Sequence, residues 1–217
     1  MTYTGDVTNG GTPDVRELTD LTITKVSVGP MDNNAYLLRC RATGEQLLID
    51  AANDSDRLLQ LIGNGGISTV VTTHQHHDHW YALKDVVDAT NAQSIAHAAD
   101  ADALPVFSVT VEDGQTVQVG EISLEVIHLV GHTPGSIALL YRDPSGFPHL
   151  FTGDSLFPGG VGNTQKDPER FASLINDVER KLFDQLPDET WIYPGHGGDT
   201  TLGNERASVP EWRARGW

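Results

Sequence analysis

The chain is 217 residues long and 38% hydrophobic, which is enough for one sizeable core. Its formal charge of −16 argues against a polyanionic partner, since proteins that grip a phosphate backbone carry a basic surface. No apolar run approaches the length of a membrane span, and the single cysteine, Cys40, rules out an intramolecular disulfide and suits a reducing cytoplasm.

Residues 1–20 are polar and rich in Thr, Gly and Asp, with neither a basic start nor an apolar stretch. They read as a flexible lead-in and not as a secretory signal, which leaves 21–217 as a single domain. Alternation predicts a strand from Leu21 to Val28, then a turn or flap through Asn34 and a second strand from Ala35 to Arg41. Cys40 is expected there as a core thiol. A third strand spans Gln46 to Ala51. Asp54 or Ser55 can cap a helix to Ile62, ended by the glycines at 63–66. Ser68 to Thr73 reads as a buried strand, and helical apolar spacing follows from Trp80 to Ala89, with Asp78 placed to cap it. Short strands are expected near 94–96, 116–119 and 123–129, then a hairpin pairing 136–141 with 149–151 around Pro144-Ser145-Gly146. Pro168 opens a long helix to Leu186, with Phe171, Leu174, Ile175, Val178, Leu182 and Phe183 along one stripe. Thr190 to Tyr193 is a final strand. Strands in two groups, each accompanied by helices, predict two packed sheets with helices outside.

The chemistry concentrates after the strand at 68–73, in the run His74-Gln75-His76-His77-Asp78-His79. Imidazole and carboxylate are ligands a borderline metal such as zinc takes, and iron and manganese are suited by the same set. Four candidate ligands in six residues are too many for one tetrahedral ion that must leave room for water. The spacing suggests two ions sharing a loop, His74 and His76 facing one, Asp78 and His79 the other. Three later positions share one design, a strand running into a glycine-bearing turn that carries a lone His or Asp: His132 in Gly131-His132-Thr133-Pro134-Gly135, Asp154 after Gly153, and His196 between Gly195 and Gly197. With seven ligands, His74, His76 and His132 hold the first ion and Asp78, His79 and His196 the second. Asp154 bridges them, because a carboxylate offers two oxygens and an imidazole one available nitrogen. Such a pair lowers the pKa of a bridging water to about 7, so a hydroxide nucleophile needs no serine or cysteine. His77 is out of frame and expected to face solvent or the substrate mouth. His128 is expected behind the ligands or in the core, and His97 and His149 as ordinary strand residues.

These motifs resemble the metallo-β-lactamase superfamily, and within it the glyoxalase II-like hydrolases. The resemblance rests on 73–79, on Gly131 to Gly135, on Phe151-Thr152-Gly153-Asp154-Ser155-Leu156-Phe157 and on Pro194-Gly195-His196-Gly197, with Asp32-Asn33-Asn34-Ala35-Tyr36 similar to the family's early strand. It covers roughly 21–205 and implies a four-layer αββα sandwich with a dimetal site at the edge of the two sheets, and the ligand roles just given. It also implies hydrolysis of a thioester or ester carbonyl by a metal-bridging hydroxide, with Asp78 and Asp154 as the catalytic carboxylates and Asp78 orienting the nucleophile. Substrate contacts are expected from the 31–34 flap (Asn33, Asn34), from His77 and from the 157–165 loop. Glyoxalase II enzymes commonly carry a Cys-Gly-Lys/Arg element in that loop. Here Asn163 stands where the base would be, and the segment after His196 is too short for the helical domain that completes the glutathione pocket of the larger enzymes. Another thiol carrier, or another ester or thioester, fits these residues equally well.

The partner expected is thus a small molecule and neither nucleic acid nor membrane, with a monomer or a homodimer both open. One alternative is a persulfide dioxygenase, which the motifs also resemble and which uses a single iron, here on His74, His132 and Asp154. Lactonase and β-lactamase-type hydrolysis are the others. A non-catalytic metal-binding module is disfavoured by an intact ligand set.

Overall fold

The structure is a computed structural model that describes residues 2–144 and 146–216. Seven strands form the first sheet: β1 (Asp14–Glu17), β2 (Leu21–Val28), β3 (Asn33–Cys40), β4 (Gln46–Ile49), β5 (Thr69–Val71), β6 (Gln93–His97) and β7 (Val109–Val111). They lie side by side in chain order. The pairs from β1 to β4 are antiparallel, and those from β4 to β7 are parallel, with β5 and β6 reached through α1 (Ser55–Ile62) and α2 (Leu83–Thr90). A short helix, α3 (Ala98–Ala101), leaves the end of β6.

The second sheet is built from β8 (Thr116–Val119), β9 (Ile122–His128), β10 (Ile137–Tyr141), β11 (His149–Gly153), β14 (Trp191–Pro194) and β15 (Thr200–Thr201), in the order β15-β14-β11-β10-β9-β8. Between β11 and β14 come a two-stranded ribbon, β12 (Leu156–Phe157) with β13 (Gly160–Val161), and α4 (Pro168–Asp177). After β15 the chain ends in α5 (Leu202–Arg206) and α6 (Val209–Arg215).

The period of two along each strand decides the layers. Leu21, Ile23, Tyr36, Leu38, Leu47 and Ile49 of the first sheet meet Leu124, Val126, Ile137, Leu139, Phe151 and Tyr193 of the second, forming the central core. Alternate residues face outward: Leu37, Leu48 and Val70 against Leu58, Leu83 and Val86 on one side, and Ala138, Leu140, Leu150 and Ile192 against Leu174, Ile175 and Trp212 on the other. The result is an αββα sandwich of two mixed sheets. Cys40 is buried in the central core, as the strand pattern predicts.

Several details differ from the sequence reading, which also left α3, β12, β13, β15, α5 and α6 unassigned. No element was expected before Leu21, yet Asp14–Glu17 pairs with β2, and Tyr3 packs edge-on against Trp191 with its hydroxyl donating to Asp199 at 2.7 Å. Asp78 does not cap α2. It lies in a single tight turn, His77–His79, and α2 begins only at Leu83, because the carboxylate is drawn toward Asn33 and His196. The long helix is regular only to Asp177, after which a wide π-type turn, Val178–Phe183, carries the same apolar stripe onward. The strand β7 was also missed, since Val109 and Thr110 are exposed at the sheet edge and give no apolar alternation. Ser145, in the predicted hairpin turn, lies outside the described residues, while β10 and β11 pair antiparallel as expected, with Leu139 opposite Phe151.

Candidate metal centre

Four loops converge at the same edge of the sandwich, each leaving the C-terminal end of a strand: 72–79 after β5, 129–136 after β9, 154–155 after β11 and 195–199 after β14. Such ends are where the backbone is released from sheet pairing and side chains can turn inward together. Two glycines make the approach possible. Gly153 takes φ +48°, and a Cβ there would sit 2.6 Å from Thr73 Oγ1; a Cβ on Gly195 would overlap Asp154 Oδ1 and lie 2.7 Å from His79 Cε1.

The seven side chains singled out from the sequence meet here, six of them in two triads and Asp154 in a grouping with His74 and His79. His74, His76 and His132 bring one ligand atom each within 4.8 Å of one another, and Asp78, His79 and His196 do the same. Asp154 lies between them, its Oδ1 3.3 Å from His79 Nε2 and its Oδ2 3.6 Å from both His132 Nε2 and His196 Nε2. Asp154 Oδ1 is buried and accepts no hydrogen bond among the described residues.

The outer nitrogens explain the inner ones. His132 Nδ1 is 2.8 Å from the Asn163 carbonyl, His196 Nδ1 is 3.0 Å from the Met31 carbonyl, and His79 Nδ1 is 2.8 Å from Asp50 Oδ2. Carbonyls and carboxylates only accept, so these nitrogens each carry a proton, and Nε2 is the nitrogen each ring has left to offer a cation. Thr73 Oγ1 donates to Asp50 Oδ2 at 2.8 Å and so accepts from His74 Nδ1 at 3.0 Å. The inner nitrogens then point at one another: His74 Nε2 to His132 Nε2 at 3.3 Å, His76 Nδ1 to His132 Nε2 at 2.8 Å, and His79 Nε2 to His196 Nε2 at 3.2 Å. Ring nitrogens converging at these distances, beside a carboxylate oxygen that has no hydrogen bond among the described residues, fit a cation in each triad.

The charges sort accordingly. Burial, then the neighbouring imidazoles, holds His74 well below its ordinary pKa, and burial likewise lowers His76 and His132. On the other side burial is overcome: Asp154 and Asp50 keep His79 well above its usual value, and Asp78 with Asp154 raises His196. Asp78 is held below the carboxylate range chiefly by its contact with His196, and Asp154 is lowered, against its burial, by His79 above all.

The expected substrate contacts divide. Asn33 is buried against the cluster, with Nδ2 donating to Asp78 Oδ2 at 2.8 Å. Asn34 is turned into the fold, its amide donating to the Pro194 and Gly197 carbonyls at 2.9 Å each. His77 is exposed against Trp80 and Tyr81. Asn163 meets the centre through its carbonyl alone, while its exposed side chain accepts from the Gln165 N–H at 2.8 Å. His128 stacks on His97 at 3.8 Å between ring centroids, and His149 bonds Tyr193, all away from the triads.

Two acids were missed. Asp50, fully buried with φ +59°, accepts from Thr73 N, Thr73 Oγ1 and His79 Nδ1, each at 2.8 Å. Asp100 in α3 ties the two histidine loops together, accepting from Gln75 N at 2.9 Å, Thr133 Oγ1 at 2.6 Å and Gly135 N at 2.7 Å. Asp50 does end an apolar strand, as Asp154 does, but no glycine beside it flags a turn.

Comparison with known proteins agrees with this geometry. A hydroxyacylglutathione hydrolase from Rhodospirillum rubrum is 37% identical over 166 residues, which cover 76% of this chain and 62% of that protein, so the match spans less than two thirds of the relative. The crystal structure of ETHE1 from Myxococcus xanthus superposes with a TM-score of 0.77 at 29% identity, covering 88% of this chain and 84% of that one. TTHA1623 in a di-iron-bound form gives a TM-score of 0.71 at 32% identity, covering 86% and 98%. The family model of the metallo-beta-lactamase superfamily matches residues 28–196, a span that holds all seven candidate ligands, and the chain belongs to that superfamily.

Proposed function

We propose that the chain is a dinuclear metal-dependent hydrolase of thioesters or esters, similar to glyoxalase II. The observation that carries this is the pair of ligand triads with Asp154 between them. His74, His76 and His132 would hold one divalent ion, and Asp78, His79 and His196 the other. Bound there, such ions would lower the pKa of a bound water to about 7 and would polarise a carbonyl oxygen. Zinc suits the nitrogen-rich donors, and the di-iron form of TTHA1623 makes iron the alternative.

The chain's own groups do the rest. Asn33 donates to Asp78 Oδ2, the oxygen that also faces His196 and His79, and so holds this carboxylate against the centre in one orientation. Asp50 holds His79 directly and His74 through Thr73, one histidine from each triad. Asn34 pins both ends of the 194–197 segment and keeps His196 in place. A thiol of ordinary pKa near 8.5 leaves as its thiolate, so no side chain has to deliver a proton. The buried Cys40 is in keeping with a reducing compartment.

The test is elemental analysis of the purified protein together with hydrolysis of S-lactoylglutathione and simple acyl thioesters. Two ions per chain with thioester turnover support the reading. One iron per chain, no turnover, and oxygen uptake with a thiol persulfide would replace it with the persulfide dioxygenase reading.

A further inference from the structure

Beside the His76–His132 wall of the centre opens a cleft of about 450 Å³, lined by Gln75, His76, His132, Pro134, Gln165 and Arg170. Arg170 projects from the first turn of α4. Its Nε donates to the Gly131 carbonyl at 2.9 Å and its Nη2 to the His132 carbonyl. These bonds lock the guanidinium plane but neutralise no charge. Arg142, Arg180, Arg206, Arg213 and Arg215 each hold a carboxylate; Arg170, like Arg16, Arg39, Arg41 and Arg57, has none within ion-pairing distance among the described residues, and of these only Arg170 lines the cleft beside the ligands. In a chain of net charge −16, an arginine fixed and unneutralised at the lip of the reacting centre needs a reason.

The turn that forms the opposite lip points the same way. Gln165 and Lys166 occupy the left-handed region in succession, at φ +58° and +60°, a conformation residues with a Cβ rarely adopt. Asn163 caps that turn through its side chain, and Asp167 closes it by accepting from Glu169 N at 2.8 Å and Arg170 N at 3.2 Å. The strained turn therefore sets Gln165 and Arg170 on one cleft.

We propose that Arg170, with Gln165, forms an anion subsite, and that the substrate carries a carboxylate a few bonds from the carbonyl that is cleaved. A planar guanidinium with free donors matches a carboxylate in a way that the neutral side chain at Asn163 does not. The subsite rests on the hydrolase reading and deepens it, by naming an acid-bearing thioester or ester as the substrate class.

The experiment uses matched pairs on the metal-loaded protein. S-acetyl-3-mercaptopropionate against its primary amide places the charge on the thiol. S-succinyl-N-acetylcysteamine against its succinamoyl counterpart places it on the acyl group. In one pair the acid is expected to exceed the amide in kcat/KM by about tenfold or more, mainly through KM, as a charge-assisted contact implies. Arg170→Gln should bring that ratio to about one, the ratio being read within each protein so that any loss of metal from the freed Gly131 and His132 carbonyls cancels, and Arg170→Lys should keep part of it. Gln165→Glu, at an exposed position, should shrink the ratio while leaving Arg170 in place. No preference in either pair, or a preference that survives Arg170→Gln, overturns the subsite. If none of the four substrates turns over, the hydrolase reading fails on its own. Calorimetric binding of 3-mercaptopropionate against 3-mercaptopropionamide then decides the subsite: loss of the acid preference in Arg170→Gln upholds it, and equal binding to the unmodified protein removes it.

Discussion

Asp50→Asn is the sharpest probe of how the centre is held. The change is nearly isosteric, and asparagine tolerates the left-handed backbone at φ +59° almost as readily as aspartate, so the chain path is kept. What changes is the acceptor count. Asp50 now takes three hydrogen bonds at 2.8 Å, from Thr73 N, Thr73 Oγ1 and His79 Nδ1. An amide has one oxygen, and its NH2 must then face a donor. The cheapest rearrangement keeps Thr73 N on the oxygen and forces His79 to move its proton from Nδ1 to Nε2. That proton would point at His196 Nε2 and Asp154 Oδ1, where a lone pair stood. Losing a hydrogen bond to a charged acceptor costs about 1.5–3 kcal/mol, and removing the outer partner of a ligating histidine typically costs about 10–100-fold in metal affinity or activity. The expected result is selective: the ion on Asp78, His79 and His196 weakens by about that factor, and the ion on His74, His76 and His132 by less, since it feels Asp50 only through Thr73. Graded chelation followed by elemental analysis reads the two ions separately, and thioester turnover reads their joint effect. An Asp50→Asn protein that keeps both ions at unchanged affinity, with turnover within about twofold of the parent, refutes the account of outer nitrogens dictating inner ones.

Three further outcomes are expected. Gly195→Ala should fold but lose about 100-fold in activity or second-ion affinity, because the added methyl overlaps Asp154 Oδ1 and crowds His79; normal metal content and turnover would show that the loop gives way. Lys25→Met should cost about 3–5 kcal/mol in chemical denaturation, because the fully buried Lys25 Nζ meets Asp199 Oδ1 at 2.6 Å and the Gly5 and Gly197 carbonyls at 2.6 and 2.7 Å, and its loss strands a buried carboxylate. A loss below about 1 kcal/mol would mean that water enters to solvate Asp199. Burial, then Arg16, pushes His149 down to about 4, so the folded state favours the neutral ring and the unfolded state takes up the proton first. Its contribution is therefore complete above about pH 6.5 and is lost as pH falls toward 4, by up to about 3 kcal/mol. His149→Gln should flatten the stability profile across that window, and parallel profiles for the two proteins would contradict the assignment.

Most of the centre is legible in the residue order because its signals are local. Each candidate ligand is a residue type with intrinsic metal chemistry, and each stands at a strand end next to its own turn. Strand alternation likewise reveals two sheets, since a period of two exposes which side of each strand is apolar. The details that escaped have no local mark. Asp14–Glu17 pairs as a strand although half its residues are exposed, and Tyr3 finds its partner at Asp199, at the far end of the chain. The reading of Asp78 as a helix cap rested on its neighbours in sequence, and a carboxylate that meets His196 and Asn33 cannot also face the start of α2.

The sequence by itself determined the candidate donor set and the layered fold, because both follow from side-chain type and short-range periodicity. Only the tertiary structure decided which nitrogen of each histidine faces inward, that Asn33 and Asn34 serve the centre and the fold in different ways, and that Arg170 stands on a cleft beside it. These depend on Asp50, Met31, Asn163 and Gly131, partners distant in the chain that approach only when the two sheets close on one another. Proton position and charge pairing are properties of a three-dimensional neighbourhood, and no linear spacing encodes them.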